Sequence, residues 1–166
     1  TPADAGYGSF DNFKYDKEHG IQLYMKYSGM RKEAEKKTAK NQFTRAQMNP
    51  NEEDKIFCPA GYEFTLVDTR IERRGMYPRE IEMYQNEHCK GCPFKSQCTK
   101  SKTGRTIQRC RELESYKNEV KENLSTDQGK RYMTQRSIWS EGIFGQIKED
   151  NHYDKLRRRG ISGVKL

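Results

Sequence analysis

The chain has 166 residues, a net charge of +8 and more charged residues (34%) than hydrophobic ones (32%), with a mean hydropathy of −1.19. That length suits one domain, or one domain carrying an insertion, and the low apolar content demands a small core. No run of about 18 apolar residues exists, which excludes a membrane-spanning helix. The opening "TPADAGYGSF" lacks the basic start and apolar stretch of a signal peptide.

The excess of Lys and Arg favours a polyanionic partner through phosphate neutralisation and counterion release, so nucleic acid is the expected partner. A well-solvated basic surface is the other reading. The five cysteines are expected in a reducing, cytoplasmic compartment, where they bind metal or stay free more often than they pair. "TPADAGYG" begins without Met, and "RRRGISGVKL" stops as a new apolar pattern starts, so both ends read as cuts through a larger protein.

In chain order, Asp4 precedes small residues with Gly6 and Gly8, which suit a sharp turn. "SFDNFKYDKEHG" (9–20) predicts a helix capped by Ser9 and stopped at Gly20. "IQLYMKYS" (21–28) alternates Ile21, Leu23, Met25 and Tyr27 on one side, as a strand does. An acid, a short helix and a strand in succession resemble one unit of an α/β or α+β domain. Residues 29–55 are basic, poor in apolar side chains and closed by Pro50 and an acidic run, a pattern expected of an exposed helix or linker.

Residues 56–112 form a second unit. "KIFCPAGYEFTLVDTRIERRG" (55–75) predicts a β-hairpin using Phe64, Leu66 and Ile71, and "EIEMYQ" predicts a further strand. Residues 113–166 are mostly helical in pattern, broken at "STDQG". Within the second unit stand Cys89-x2-Cys92-x5-Cys98, with Cys58 in "FCPAGYEF" upstream. A C-x-x-C turn brings two thiolates to one metal, and "CKGCP" has the Gly and Pro that such a knuckle uses. Cys58, Cys89, Cys92 and Cys98 supply the four ligands of a structural Zn²⁺, which would stabilise a segment with little core of its own. An iron–sulfur cluster is satisfied by the same four thiolates, and incidental free cysteines are the third reading. His88 is adjacent and a substitute ligand, whereas Cys110 is left over.

On the late helix, Trp139, Ile143 and Ile147 share a face with Tyr132 and with Arg136. Glu141 and Lys148, seven residues apart, project together along the edge of that face. Gly142 and Gly145 each cost about 1 kcal/mol relative to Ala in a helix interior, which calls for a packing or functional reason. By spacing alone, Glu141 reads equally as a solvated helix acid.

"ADAGYGSFDNF" (3–13) and "YMTQRSIWSEGIFGQIK" (132–148), separated by "CPAG" and C-x-x-CP-x4-C, resemble the C-terminal half of a bacterial insertion-sequence transposase. The family is the DDE group, which implies an RNase H-like fold, here partial and interrupted by the cysteine-bearing β insertion. By that resemblance Asp4 matches the second catalytic Asp and Glu141 the catalytic Glu, jointly holding Mg²⁺ or Mn²⁺. Tyr132, Arg136, Glu141 and Lys148 resemble the family's Tyr–Arg–Glu–Lys signature, with the first two gaps each one residue longer than in its commonest form. The implied organisation is a catalytic-core portion at 1–28, a linker at 29–55, the insertion at 56–112 and a helical return to the core at 113–166. The implied partner is DNA, both transposon ends and target, with self-association of the intact protein. Lys148, Arg136, Tyr132 and the Arg157, Arg158, Arg159 run are the expected DNA contacts, joined by the basic 31–40 stretch. The first catalytic Asp has no match in this sequence, which implies little or no strand cleavage by this chain alone. A zinc-stabilised basic nucleic-acid-binding module without catalysis is the alternative.

Overall fold

The computed structural model describes the backbone of residues 2–149 and the side chains of residues 2–138. Within them the fold is mixed α+β. Asp4 opens a single 3-10 turn, Ala5–Tyr7, by accepting the Gly6 N–H at 2.9 Å. Helix α1, Phe10–Glu18, follows. Ser9 caps it by accepting the Asn12 N–H at 3.3 Å, and Gly20 takes a positive φ of 66° just past its end. Both boundaries are those that the sequence predicts, because capping and left-handed geometry are local properties of Ser and Gly.

The following 21–28 stretch is extended, and one parallel bridge, Pro2 to Tyr24, is its only ladder among the described residues. Leu23, Met25 and Tyr27 are buried, as their alternation predicts, but so is Tyr24. Both sides are covered here, so the period-2 pattern tells only part of the burial. The basic stretch contributes helix α2, Met30–Ala34, and the 3-10 turn Arg45–Gln47, and it buries Phe43 and Met48.

The sheet is a three-stranded antiparallel ribbon in the order β1, Thr65–Glu72, then β2, Arg79–Asn86, then β3, Arg105–Arg109. The expected hairpin within 55–75 is replaced by a longer one: β1 pairs with β2 across residues 73–78, leaving only a Phe57–Glu63 bridge inside the predicted span. Asp11 of α1 draws that turn inward by accepting the Met76 and Tyr77 N–H groups at 3.0 and 3.3 Å. That long-range anchor has no local sequence signal. The short helix α3, Lys95–Cys98, lies between β2 and β3.

Helices α4, Arg111–Ser125, and α5, Asp127–Glu149, meet at a sharp joint. Thr126 closes it: its hydroxyl donates to the Asn123 carbonyl at 2.6 Å and accepts the Gly129 N–H at 3.0 Å. The break falls within the predicted "STDQG".

Among the described residues, three small apolar clusters stand in place of one large core, in keeping with the composition. Phe13, Leu23, Met25, Tyr27 and Val120 join α1, the extended segment and α4. Met48, Ile56, Phe64, Tyr84 and Ile107 form the centre of the sheet unit. Phe10, Ile81 and Cys110 bridge the two. Full burial of each such side chain contributes roughly 1.5–3 kcal/mol. A charged lattice supplements the bridge: Arg109, only 6% exposed, pairs with Asp54 and with Glu114 at 2.7 Å each, and Arg111 pairs with Glu82 at 2.6 Å and with Asp54. No helix among the described residues is long and apolar enough to cross a membrane.

Candidate catalytic carboxylates and the cysteine module

Asp4 and α5 come together from opposite ends of the chain. One Asp4 oxygen holds the Gly6 N–H, and the other meets the Arg136 guanidinium of α5. The aromatic edge of Tyr132 lies 5.0 Å from Tyr24, ring centre to ring centre, so α5 also packs on the extended segment paired to Pro2. Tyr132, Met133 and Arg136 are the half-buried positions of this part of α5, while Ile138 is 62% exposed. Tyr132 and Arg136, the described members of the predicted stripe, face inward, Arg136 with Asp4 as its partner; the rest of the stripe lies outside the described side chains.

Asp4 remains 61% exposed at its side chain. It is a carboxylate fixed in orientation by its own cap bond and open to solvent, a suitable hard-oxygen donor for Mg²⁺ or Mn²⁺. Glu141 and Lys148 lie on the described backbone of α5, but their side chains, like those of Trp139, Ile143 and Ile147, are outside the described residues. So are Arg157, Arg158 and Arg159. On an ideal helix, Glu141 stands about 7.5 Å further along the axis than Arg136 and about 140° around it. Of the basic 31–40 stretch, Arg31, Lys32, Lys36, Lys37 and Lys40 are exposed, with Arg31 3.6 Å from Glu35.

The four predicted cysteine ligands line one cavity of about 20 Å³ between the start of β1, the end of β2, α3 and the start of β3. Two glycine-closed turns present them. Gly61, φ 85°, lets its N–H return to the Cys58 carbonyl at 2.9 Å, and Gly91, φ 78°, lets the Cys92 N–H approach the Cys89 carbonyl at 3.5 Å. Cys98 ends α3, with its N–H on the Phe94 carbonyl at 2.9 Å. The Cys89 sulfur accepts the Arg105 N–H at 3.4 Å. No disulfide forms among the described cysteines. Nor are any three described His, Cys, Asp or Glu side chains gathered tightly enough to constitute a ready-made metal cage.

Two contributors carry no metal-site signature in the sequence. Asn86, 1% exposed, donates to the Tyr62 carbonyl at 3.2 Å and accepts the His88 N–H at 3.0 Å, binding both cysteine turns to the end of β2. Arg105 donates to the Cys98 carbonyl and lies 3.5 Å from its sulfur, while its own Nε is buried without a hydrogen-bond partner. His88 stacks on Tyr62, ring planes 2° apart and centroids 4.8 Å apart. Cys110 is buried at the start of α4, where burial raises its thiol pKa above the ordinary value, and it lies outside the cavity lining.

Residues 57–166 match the family model described as a transposase DDE domain, a span that includes Cys58, the sheet, the cysteine turns and Glu141 but not Asp4. No curated protein and no solved structure matches the chain.

Proposed function

The chain belongs to the transposase DDE domain family, and from that premise we propose that it is the part of a DNA transposase that supplies two of the three carboxylates for metal-dependent strand cleavage and transfer. The carrying observation is the Asp4–Arg136 ion pair, which ties the N-terminal acid to the helix bearing Glu141 across 132 positions of sequence. The partial RNase H-like core is, in this reading, the unit around Phe13, Met25 and Val120, with the cysteine module inserted into it.

Asp4 and Glu141 would hold divalent ions, whose chemistry there would be activation of the attacking oxygen and stabilisation of the leaving one in an in-line displacement at phosphorus. Asp4 offers its solvent-facing oxygens from a fixed turn. Glu141 offers the second carboxylate from α5. Arg136 holds α5 to the Asp4 turn and keeps the carboxylate charge compensated. Lys148, about two helical turns beyond Glu141, grips a DNA phosphate, and Tyr132 buttresses the base of the helix. The exposed 31–40 lysines and Arg157, Arg158 and Arg159 add contacts that carry no sequence information. The first catalytic Asp of the family's triad has no match among residues 1–166, so these residues by themselves nick DNA weakly or not at all.

Binding of Mn²⁺ to this chain, followed by the paramagnetic signal of the free ion, tests the assignment. A weak site lost in both Asp4→Asn and Glu141→Gln supports it. Equal Mn²⁺ binding in both variants and the parent protein refutes it. Strong Mg²⁺-dependent nicking by 1–166 that vanishes in Glu141→Gln would instead overturn the incomplete-triad reading. The second reading is a non-catalytic, zinc-stabilised basic module; the convergence of four cysteines on one cavity favours it, and DNA binding indifferent to both carboxylate substitutions would distinguish it.

A further inference from the structure

We infer that Cys58, Cys89, Cys92 and Cys98 hold a single Zn²⁺-class ion as a tetrathiolate, and that Arg105 and Lys95 are built into the fold as its counter-charges. The inference does not depend on the carboxylate site, and either can fail alone.

The lining of the cavity has an unusual charge balance. It contains four thiols, the cations Arg105 and Lys95, and no Asp or Glu. A partly buried guanidinium without an acid partner is costly, and the Arg105 Nε has no hydrogen-bond partner at all. Arg109, in contrast, faces the carboxylates of Asp54 and Glu114, although its Nη1 is likewise buried without a hydrogen-bond partner. Four thiolates around a divalent ion carry a net charge of minus two, which two cations offset. The Arg105 side chain already lies 3.5 Å from the Cys98 sulfur, and its backbone N–H donates to the Cys89 sulfur.

The cavity is small, about 20 Å³, little more than the space one water requires, which is in keeping with a single ion. The cover is apolar: Phe43 and Phe94 meet with ring centroids 5.7 Å apart, and Phe64 lies behind. Four protein thiolates leave no open coordination position, which suits a structural site rather than a catalytic one. The backbone is already turned to present the sulfurs at Gly61 and Gly91. Binding releases the thiol protons, with no change of oxidation state.

The site fastens three sequence-distant pieces to one point: the turn before β1, the turn after β2 and the end of α3. Cys58 and Cys98 also pack against the Met48–Ile56–Phe64–Tyr84–Ile107 cluster, so metal loss opens that cluster while the Phe13–Met25–Val120 cluster persists.

The test uses the full chain produced with zinc and assayed for metal, then exchanged with Co²⁺. About one zinc per chain and the intense red-region bands of tetrahedral cobalt–thiolate are expected. Arg105→Gln should weaken zinc affinity by about 10–100-fold, with Arg105→Lys recovering part of the loss. Cys110→Ser should keep the full metal content. Because Cys→Ser variants are liable to unfold, chelation of the parent protein provides an independent readout: amide exchange should accelerate across 57–64 and 86–109 but not across 10–27. A metal-free protein, a brown iron-containing one, or native thiols reacting as fast as in denaturant would each overturn the proposal. Unchanged zinc affinity in Arg105→Gln would remove the counter-charge role.

Discussion

Gly129→Ala tests the joint between α4 and α5, which sets the course of α5 past the Asp4 turn. A Cβ on Gly129 would run into the Asn123 carbonyl oxygen and stand 2.8 Å from Leu124 Cα and 3.0 Å from Asn123 C. All three are backbone atoms of α4, so no side-chain rotation makes room. In an open helix the same change would stabilise by about 1 kcal/mol. Here, overpacking against fixed backbone costs roughly 1–3 kcal/mol. Any retreat of Asn123 also strains its carbonyl bonds from the Thr126 N–H, 3.3 Å, and hydroxyl, 2.6 Å, at about 1 kcal/mol for each bond lost. The net expectation is a loss of about 1–3 kcal/mol. For a chain of this size that lowers the melting temperature by about 2–4 °C for each kcal/mol. Thermal unfolding followed by helical circular dichroism in zinc-replete buffer reads the change. A variant that melts at or above the parent temperature would show that helix propensity wins and that α4 and α5 do not meet so closely.

Asn123→Ala should cost about 1–3 kcal/mol in chemical denaturation, because the Leu23 carbonyl loses a buried donor at 3.1 Å and Gln22 loses its acceptor. Asp54, hydrogen-bonded first by Arg109 and then by Arg111, has its carboxyl pKa lowered to about 2. Its folded value lies below its unfolded value, so its contribution is complete above about pH 4 and is lost as pH falls towards 2. Urea unfolding at several pH values should therefore show a decline in that window that is shallower in Asp54→Asn, and identical pH profiles would exclude the link. Arg136→Gln should weaken Mn²⁺ binding, since the tie that holds α5 to the Asp4 turn is lost; tighter binding would mean that Arg136 competes with the ion for Asp4 and does not organise the site. Its effect on stability should stay below about 1 kcal/mol, as for other exposed ion pairs.

The sequence by itself determined what local chemistry controls. Ser9 and Gly20 bound α1, "STDQG" divides α4 from α5, and the cysteine spacing with its two glycines marks the turns that carry the thiols. The stretch from Cys58 to Glu141 also carried the family, whose model matches residues 57–166, since the order of motifs along the chain is itself sequence information. Tertiary structure decided what depends on distant partners. The β1–β2 pairing rests on Asp11 capping a turn 65 residues away. Arg136, a charged residue on an otherwise apolar stripe, makes sense only once Asp4 lies opposite it. Asn86 and Arg105 join the cysteine module through backbone carbonyls and sulfurs of other segments, and strand β3, short and flanked by charge, is held by pairing with β2. Caps and turns are settled within a few residues by backbone sterics and single hydrogen bonds. Ion pairs, strand partners and a charge-balanced cavity exist only after the chain closes loops of tens of residues, and no local pattern records which groups will meet.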